Sequence, residues 1–433
     1  MIGIKARPLL VAAKGKGLRN MLRRVAIISK RYGLTAAQME HALTYFFWVL
    51  AQYNCSASFP IVAAAFARNK GLIEKLQKQG IEFAVHGYHH IDHSQLSLAQ
   101  QVADFTRARS VFSESDLHVD GFRCPYLRGN SDTLQAIKQT GFLYDSSSSL
   151  AWDVLNGQDS TSYQHVLGFY GTSLARDYPS LPRIEQNGLV EIPYSLPDDE
   201  ALIDRLQFES EQAMCLPWVS ILDETHGLGE LFTLGLHPER IFLCEKPLKA
   251  TLQKARQLVP GVWIARLDEI ARWWLMRASV NAEIQTLTER EFIFGLPQLT
   301  GLTVFGRAVE FLGPDQAWDG VYRQAMGAEI HFRAACRPFV GVSKSSDPML
   351  GYFLRQQGYI VESADDASLH SFFLDYPQFT REDERNVLMK IEQSELPLVR
   401  FGRWPAGTKS AFCVTGDIDA LTIFDYGLRF LGR

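Results

Sequence analysis

The sequence predicts an α/β protein of repeated β/α units followed by a smaller β-rich segment. Three observations carry this. Between about residues 20 and 280, amphipathic helical stretches alternate with short apolar runs. Several of those runs end in residues able to bind metal or move protons. Beyond about residue 284 the pattern changes to strands broken by turn residues.

The elements follow in order. Helical periodicity is clear in ALTYFFWVLAQY (42 to 53), KGLIEKLQKQG (70 to 80) and SDTLQAIKQTG (131 to 141), the last two stopped by Gly80 and Gly141 at C-caps. The apolar runs IEFAVH (81 to 86), FLYD (142 to 145), LFTLGLH (231 to 237) and VWIARL (262 to 267) read as strands. LDEIARWWLMRASV (267 to 280) reads as an amphipathic closing helix. EFIFGLP, LTVFGRAVEFLG, EIHFRAA and RPFVGVS then form a β-rich segment, interrupted by a helix over DPMLGYFLRQQG (347 to 358). This gives a separate accessory module over 284 to 402 without a dense set of titratable residues. A last strand, SAFCVTGDID (410 to 419), follows it.

At 433 residues the chain can hold two or three domains, one of them a large α/β barrel. With 46% hydrophobic and 21% charged residues it is a folded globular composition. A net charge of -4 offers no electrostatic footprint for nucleic acid and suits a neutral or sugar-like substrate. The six cysteines lie far apart with no CxxC pair, which indicates reduced thiols and excludes a disulfide framework or a Cys-rich zinc site. The first apolar run is too short for a signal peptide and no stretch approaches ~18 apolar residues, so the expected location is cytoplasmic, with no transmembrane segment. Lys14, Lys16, Arg19, Arg23 and Arg24 are expected on a solvated helix face rather than on anionic lipid.

Four clusters could carry chemistry. His86-Gly-Tyr-His89-His90-Ile-Asp92-His93 follows a strand, and on a helical turn His86 and His90 would share one face within reach of one ion. A catalytic metal site needs three protein ligands and an open position. The third candidate is the Asp417-Ile-Asp419 pair, where one carboxylate would bind metal while the other takes a proton. Arg123-Cys-Pro125-Tyr126 offers a rigid turn and a guanidinium that can orient a carboxylate. Leu234-Gly-Leu236-His237-Pro238 ends a strand in a candidate general acid.

Together these four pieces resemble the polysaccharide deacetylase family, carbohydrate esterase family 4 or NodB-like. The resemblance covers roughly residues 30 to 280 plus 403 to 425. HGYHH is similar to the family's H-x-x-x-H motif, GFRCPY to R-x-P-[YF], LGLHP to L-x-x-H, and TGDID to the D-x-D variant of its Asp-Asp motif. The resemblance implies a distorted (β/α)7-type barrel and a divalent metal, with zinc first among several that suit His/His/Asp. It implies that Asp419, His86 and His90 bind the metal and that Asp417 is the general base tethered by Arg123. It also implies that the Tyr126 N–H holds the oxyanion and that His237 is the acid. The expected reaction removes N-acetyl groups from an amino-sugar-containing glycan. Rival expectations are a related amidohydrolase acting on a non-sugar amide and an inactive carbohydrate-binding protein.

In the family the Asp motif comes first. Here no Asp pair follows an apolar strand before His86, so the sequence predicts a circularly permuted barrel. Residues 1 to 283 form the barrel and 403 to 433 supply its displaced first strand, folded back beside the strand preceding His86. The alternatives are a second, truncated domain, or strand exchange in a homo-oligomer. No Trp-containing motif orients the acid, and Asp198 or Asp199 in EIPYSLPDDE is the candidate substitute. His89 and His93 remain alternative ligands.

Overall fold

The computed structural model describes residue 28 and residues 31–115, 117–155, 161–208 and 210–429. The basic residues Lys14 to Arg24 lie outside the described residues. The strands of the larger sheet are β1 (Ser58–Ile61), β2 (Glu82–Val85), β3 (Gly121–Phe122), β4 (Tyr144–Asp145), β5 (Ser149–Ala151) and β6 (Ser173–Leu174). β7 (Arg183–Ile184), β8 (Val190–Glu191), β9 (Tyr194–Leu196), β10 (Leu231–Leu236) and β11 (Val262–Ile264) follow, and β23 (Ser410–Gly416) completes the sheet. Strands β12 to β22 lie between Gln285 and Phe401.

Helices α1 (Ala37–Ala51), α2 (Ala63–Arg68), α3 (Lys70–Gln77), α4 (Leu98–Ser113), α5 (Thr133–Gln139) and α6 (Thr161–Tyr170) occupy the first half. α7 (Glu211–Leu228), α8 (Ile241–Gln257), α9 (Leu267–Ala278), α10 (Pro348–Gln356), α11 (Glu384–Glu392) and α12 (Ile423–Arg429) complete the set. The sequence reading did not single out α7 and α8. Each carries an internal proline, Pro217 and Pro247, a residue that ordinarily ends a helix.

The sheet runs β6-β5-β9-β10-β23-β1-β2-β3-β4-β8-β7, with β11 also pairing β23. Apart from β7, which is antiparallel to β8, its pairings are parallel. It is a curled half-barrel sheet, the coarser form of the distorted (β/α)7-type barrel expected, and its path does not close among the described residues. The central strands β1, β2, β10 and β23 are buried along their whole length, polar Ser58, Glu82 and Thr415 included. Every residue of β10 and β23 is buried.

β23 sits between β10 and β1. Six residues of β10 pair with β23 in register from Leu231↔Ala411 to Leu236↔Gly416. On the other side Ser58 pairs Thr415, and Ile61 bridges Ile418. The strand before His86 is β2, so β23 lies one place further over than a direct neighbour.

Two glycines permit this packing. A Cβ on Gly416 would lie 2.5 Å from the Phe59 ring, and one on Gly235 only 1.6 Å from the Tyr194 hydroxyl. Gly235→Ala is therefore expected to destabilise the fold by about 3 kcal/mol through overpacking against a rigid aromatic. Denaturant unfolding measures this, and an unchanged midpoint would contradict the packing described.

The β-rich segment packs against the sheet region. One hydrophobic core joins Ala84, Tyr144, Leu231 and Trp274 of the sheet region to Val340, Leu354, Val387 and Leu398. Gln356 of α10 accepts from the Ile184 N–H at 2.7 Å, tying the segment to the edge strand β7. No dense set of titratable residues was expected in this segment, yet Arg307, Tyr322, Tyr359, Glu392 and Arg400 converge there. They are far apart in sequence, so no local cluster reveals them.

Candidate active site

The four sequence clusters meet at the C-terminal ends of neighbouring strands, and a backbone relay holds them there. The Asp417 N–H donates to Leu236 O at 2.9 Å and the Ile418 N–H to Pro60 O at 2.7 Å. The N–H groups of His86, Arg123 and Ser146 donate in turn to Ile61 O, Val85 O and Phe122 O, each at 2.9 Å. The positions of these side chains are thus set by the sheet itself rather than by flexible loops.

His86, His90 and Asp419 are buried, and one potential ligand atom from each lies within 4.8 Å of the others. Asp419 Oδ1 has the Nε2 atoms of His90 and His86 at 3.1 and 3.5 Å, yet accepts no well-aligned hydrogen bond. His86 Nδ1 lies 2.9 Å from the Arg123 carbonyl. A carbonyl can only accept, so Nδ1 donates to it and Nε2 is the ring nitrogen that faces Asp419. Burial pushes His90 down to about 4, which leaves its imidazole neutral at ordinary pH. Two imidazoles converging with a carboxylate, one of them oriented through its far nitrogen, form a donor set that fits a divalent cation.

The route to that set differs from the expected helical turn. Residues 86 to 92 form an irregular loop, with Gly87 at φ +74°. A Cβ on Gly87 would sit 2.8 Å from His93 Cε1, so the loop folds tightly around His93. His93 is buried and bonded to Asp104 Oδ2 at 3.1 Å, as part of the support rather than of the cluster. His89 is likewise outside the three-residue cluster.

Arg429, in the last turn of α12, was not anticipated. Its Nη1 donates to Asp419 Oδ2 at 2.7 Å, and its Nη2 lies 3.0 Å from a His90 ring nitrogen. The two oxygens of Asp419 are thereby divided, one to the guanidinium and one to the histidines. Burial opposes its ionisation, but Arg429 and His90 hold Asp419 well below the usual carboxylate range.

Asp417, on the same strand end, accepts from Arg123 Nη1 at 2.7 Å. Arg123 is fully buried and bonds Thr415 Oγ1, Ser146 O and Ser146 Oγ, each at 2.9 Å. Its fork is therefore locked before it meets Asp417. Tyr126 adopts φ +60° in a tight turn whose two backbone bonds are donated by Leu127 and Arg128, leaving its own N–H outside them. The Tyr126 ring packs edge-on to His90 at 4.5 Å between centroids.

His237 is held by Asp199. Its Nδ1 lies 2.7 Å from Asp199 Oδ1, and its N–H donates to Oδ2 at 2.8 Å. Of the two aspartates in EIPYSLPDDE, Asp199 is thus the histidine's partner, while Asp198 accepts from Tyr194 OH and the Ala201 N–H. Burial works against charge on His237, but Asp199 overrides it and raises the imidazole well above its ordinary value. The ion pair's contribution from His237 is complete below pH about 6.5 and disappears as pH rises through the raised folded value. Asp199→Asn should bring His237 down, because burial and the charge of Arg240 then act against Glu239 alone. An NMR titration of the imidazole checks this, and an unmoved titration would remove Asp199 as the cause.

His86, His90, Tyr126, His237, Asp417 and Asp419 line a cleft of about 40 Å³ that also includes Tyr170, Tyr194 and Glu200. The sequence model of the family described as polysaccharide deacetylase matches residues 35–144. A peptidoglycan deacetylase-like protein, FGM2 of Gibberella zeae, is 35% identical over 231 residues, or 47% of this chain. The match spans 65% of that relative's length. A solved structure of a probable polysaccharide deacetylase from Pseudomonas aeruginosa PAO1 aligns at 21% identity over 54% of this chain and 73% of that one, with a TM-score of 0.43. The Puue allantoinase aligns at 20% identity over 54% and 72%, also at 0.43. Residues 35–144 thus match the polysaccharide deacetylase family, and the chain is similar over 231 residues to a peptidoglycan deacetylase-like protein.

Proposed function

We propose that the chain is a metal-dependent deacetylase that hydrolyses N-acetyl groups on an amino-sugar-containing glycan. The observation that carries this is the convergence of His86, His90 and Asp419 beside a tethered Asp417 and a carboxylate-held His237. A divalent ion, zinc first among those that suit the donors, would supply Lewis acidity to the acetyl carbonyl and to a water.

The chain's own groups perform the remaining steps. Asp417 takes a proton from the attacking water as the new C–O bond forms, and Arg123 keeps its carboxylate aimed and ionised. The Tyr126 N–H donates to the developing oxyanion. His237, protonated under the field of Asp199, gives its Nε2 proton to the sugar nitrogen as the C–N bond breaks. The products are acetate and an amine. An acid whose pKa is raised stays charged through neutral pH, which suits protonation of a poor leaving group.

We read the domain as circularly permuted, with β23 serving as the strand that opens the sequence in the family. Its parallel place between β10 and β1 within one chain supports this. Residues 284 to 402 are then an accessory segment joining α9 to β23.

The test is metal analysis of the purified protein combined with acetate release from N-acetylglucosamine oligomers and, in parallel, from small cyclic amides. Release from the cyclic amides alone would replace the glycan reading, and absence of both metal and release would replace the enzyme reading. His86→Ala and His90→Ala should each remove most bound metal while His89→Ala keeps it. Full occupancy in His90→Ala would sink the ligand assignment.

A further inference from the structure

A second cavity, of about 300 Å³, lies at the opposite end of the sheet from the active site. Lys409 on its wall immediately precedes β23, whereas Asp417 and Asp419 follow that strand, so about 20 Å of strand separates the two. Its volume is at the lower end of the range for small-molecule sites.

Charge in this wall does not balance. Glu230 is paired with Arg385, at 3.1 Å for Oε2, and Asp319 with Lys409 at 3.4 Å. That leaves Arg400 and Arg403 on the wall, with Glu392 as the remaining carboxylate, 3.5 Å from Arg400 Nε. Arg403 gives Nη1 to the Leu228 and Gly229 carbonyls and has no carboxylate within ion-pair distance among the described residues. Arg277, buried behind them, has none either, and its Nε and Nη2 are buried without a partner. Burial, then the charges of Arg403 and Arg400, pushes Arg277 down to about 9. Of these three buried guanidinium groups only Arg400 lies within ion-pair distance of a carboxylate among the described residues. Buried charges are ordinarily paired, and donors left over in a native interior call for an ion or ligand.

The rest of the wall is aromatic. Trp318 and Phe305 pack in a tilted pair at 4.1 Å between centroids, and Arg400 lies over the Tyr322 ring at 4.7 Å.

We propose that this cavity binds a small organic oxyanion, phosphate or carboxylate, with its charged group at Arg400 and Arg403 and its body against Trp318. The proposal stands independently of the deacetylase reading, because none of these residues belongs to the catalytic cleft.

Phenyl phosphate, inorganic phosphate and benzoate, titrated into the full-length chain, test it by calorimetry and tryptophan fluorescence. At least one is expected to bind saturably with a Kd between about 10 µM and 1 mM, and the better of phenyl phosphate and benzoate names the head group. Trp318→Phe should abolish most of the fluorescence change, His90→Ala should titrate like the unmodified chain, and Arg403→Gln should weaken binding at least about tenfold. Where Arg403→Gln does not fold, Lys409→Gln, at a partly exposed position, should weaken binding about threefold by freeing Asp319 to repel the anion. No saturable binding of any probe up to about 10 mM, or equal binding in the folded arginine or lysine variant, would overturn the proposal.

Discussion

A chain shortened to residues 1–402 will retain neither metal nor acetate release, and its sheet will unfold without a cooperative transition. The deletion takes β23 from the middle of the sheet, exposing one edge on β10 and another on β1. Trp404, Phe412, Val414 and Ile418, all fully buried, leave the core with it. Large core truncations cost about 2–5 kcal/mol each, so these four alone match the entire net stability of about 5–15 kcal/mol of an ordinary domain. Asp417 and Asp419 are lost in the same step. Circular dichroism with thermal unfolding, metal analysis and an acetate assay measure the three consequences together. A truncated monomer that still binds metal and releases acetate would refute the permutation. Recovery of activity on mixing two differently inactivated chains would instead favour exchange of the strand between subunits.

The second large effect separates the two aspartates. Asp417→Asn should keep its metal and lose about two to four orders of magnitude in turnover, the range for removing positioned acid–base catalysis. The amide oxygen still accepts from Arg123 Nη1, and Arg123 keeps its bonds to Ser146 and Thr415, so the site's shape survives. Arg123→Met is different. It strands the Asp417 carboxylate in a buried site, a change that costs about 3–5 kcal/mol when one partner of a buried pair is removed. The expected signature is a fall in both thermal stability and turnover, against turnover alone for Asp417→Asn. Loss of metal in Asp417→Asn would mean that Asp417 and Asp419 have exchanged roles.

Much of the site was legible because its residues sit where apolar runs stop. HGYHH after β2, RCPY after β3, LGLH after β10 and DID after β23 each mark the end of a buried strand, and parallel packing brings such ends together. What could not be read is tertiary in origin. Nothing local distinguishes Asp199 from Asp198; the choice depends on which carboxylate reaches His237 across thirty-eight positions. Arg429 carries no motif and acquires its contact only when α12 packs over Asp419. The helical-turn expectation for His86 and His90 failed because spacing of four describes a helix only if the backbone is helical, and Gly87 is not. The arginine excess between the sheet and the β-rich segment is assembled from Arg277, Arg400 and Arg403, and the overall charge of -4 conceals it.

The placement of β23 also bears on how the protein is made. Its partner β1 is synthesised some 350 residues earlier and its partner β10 some 175 earlier, so the pairings that close the middle of the sheet are among the most non-local in the chain. During synthesis β1 and β10 each wait with a buried-type, apolar edge and no neighbour, the kind of surface that recruits other chains. Productive folding in the cell therefore depends on protecting those edges until Ser410–Gly416 has been delivered, and yield of active protein should fall under fast expression or limited holdase capacity well before the finished fold itself becomes unstable.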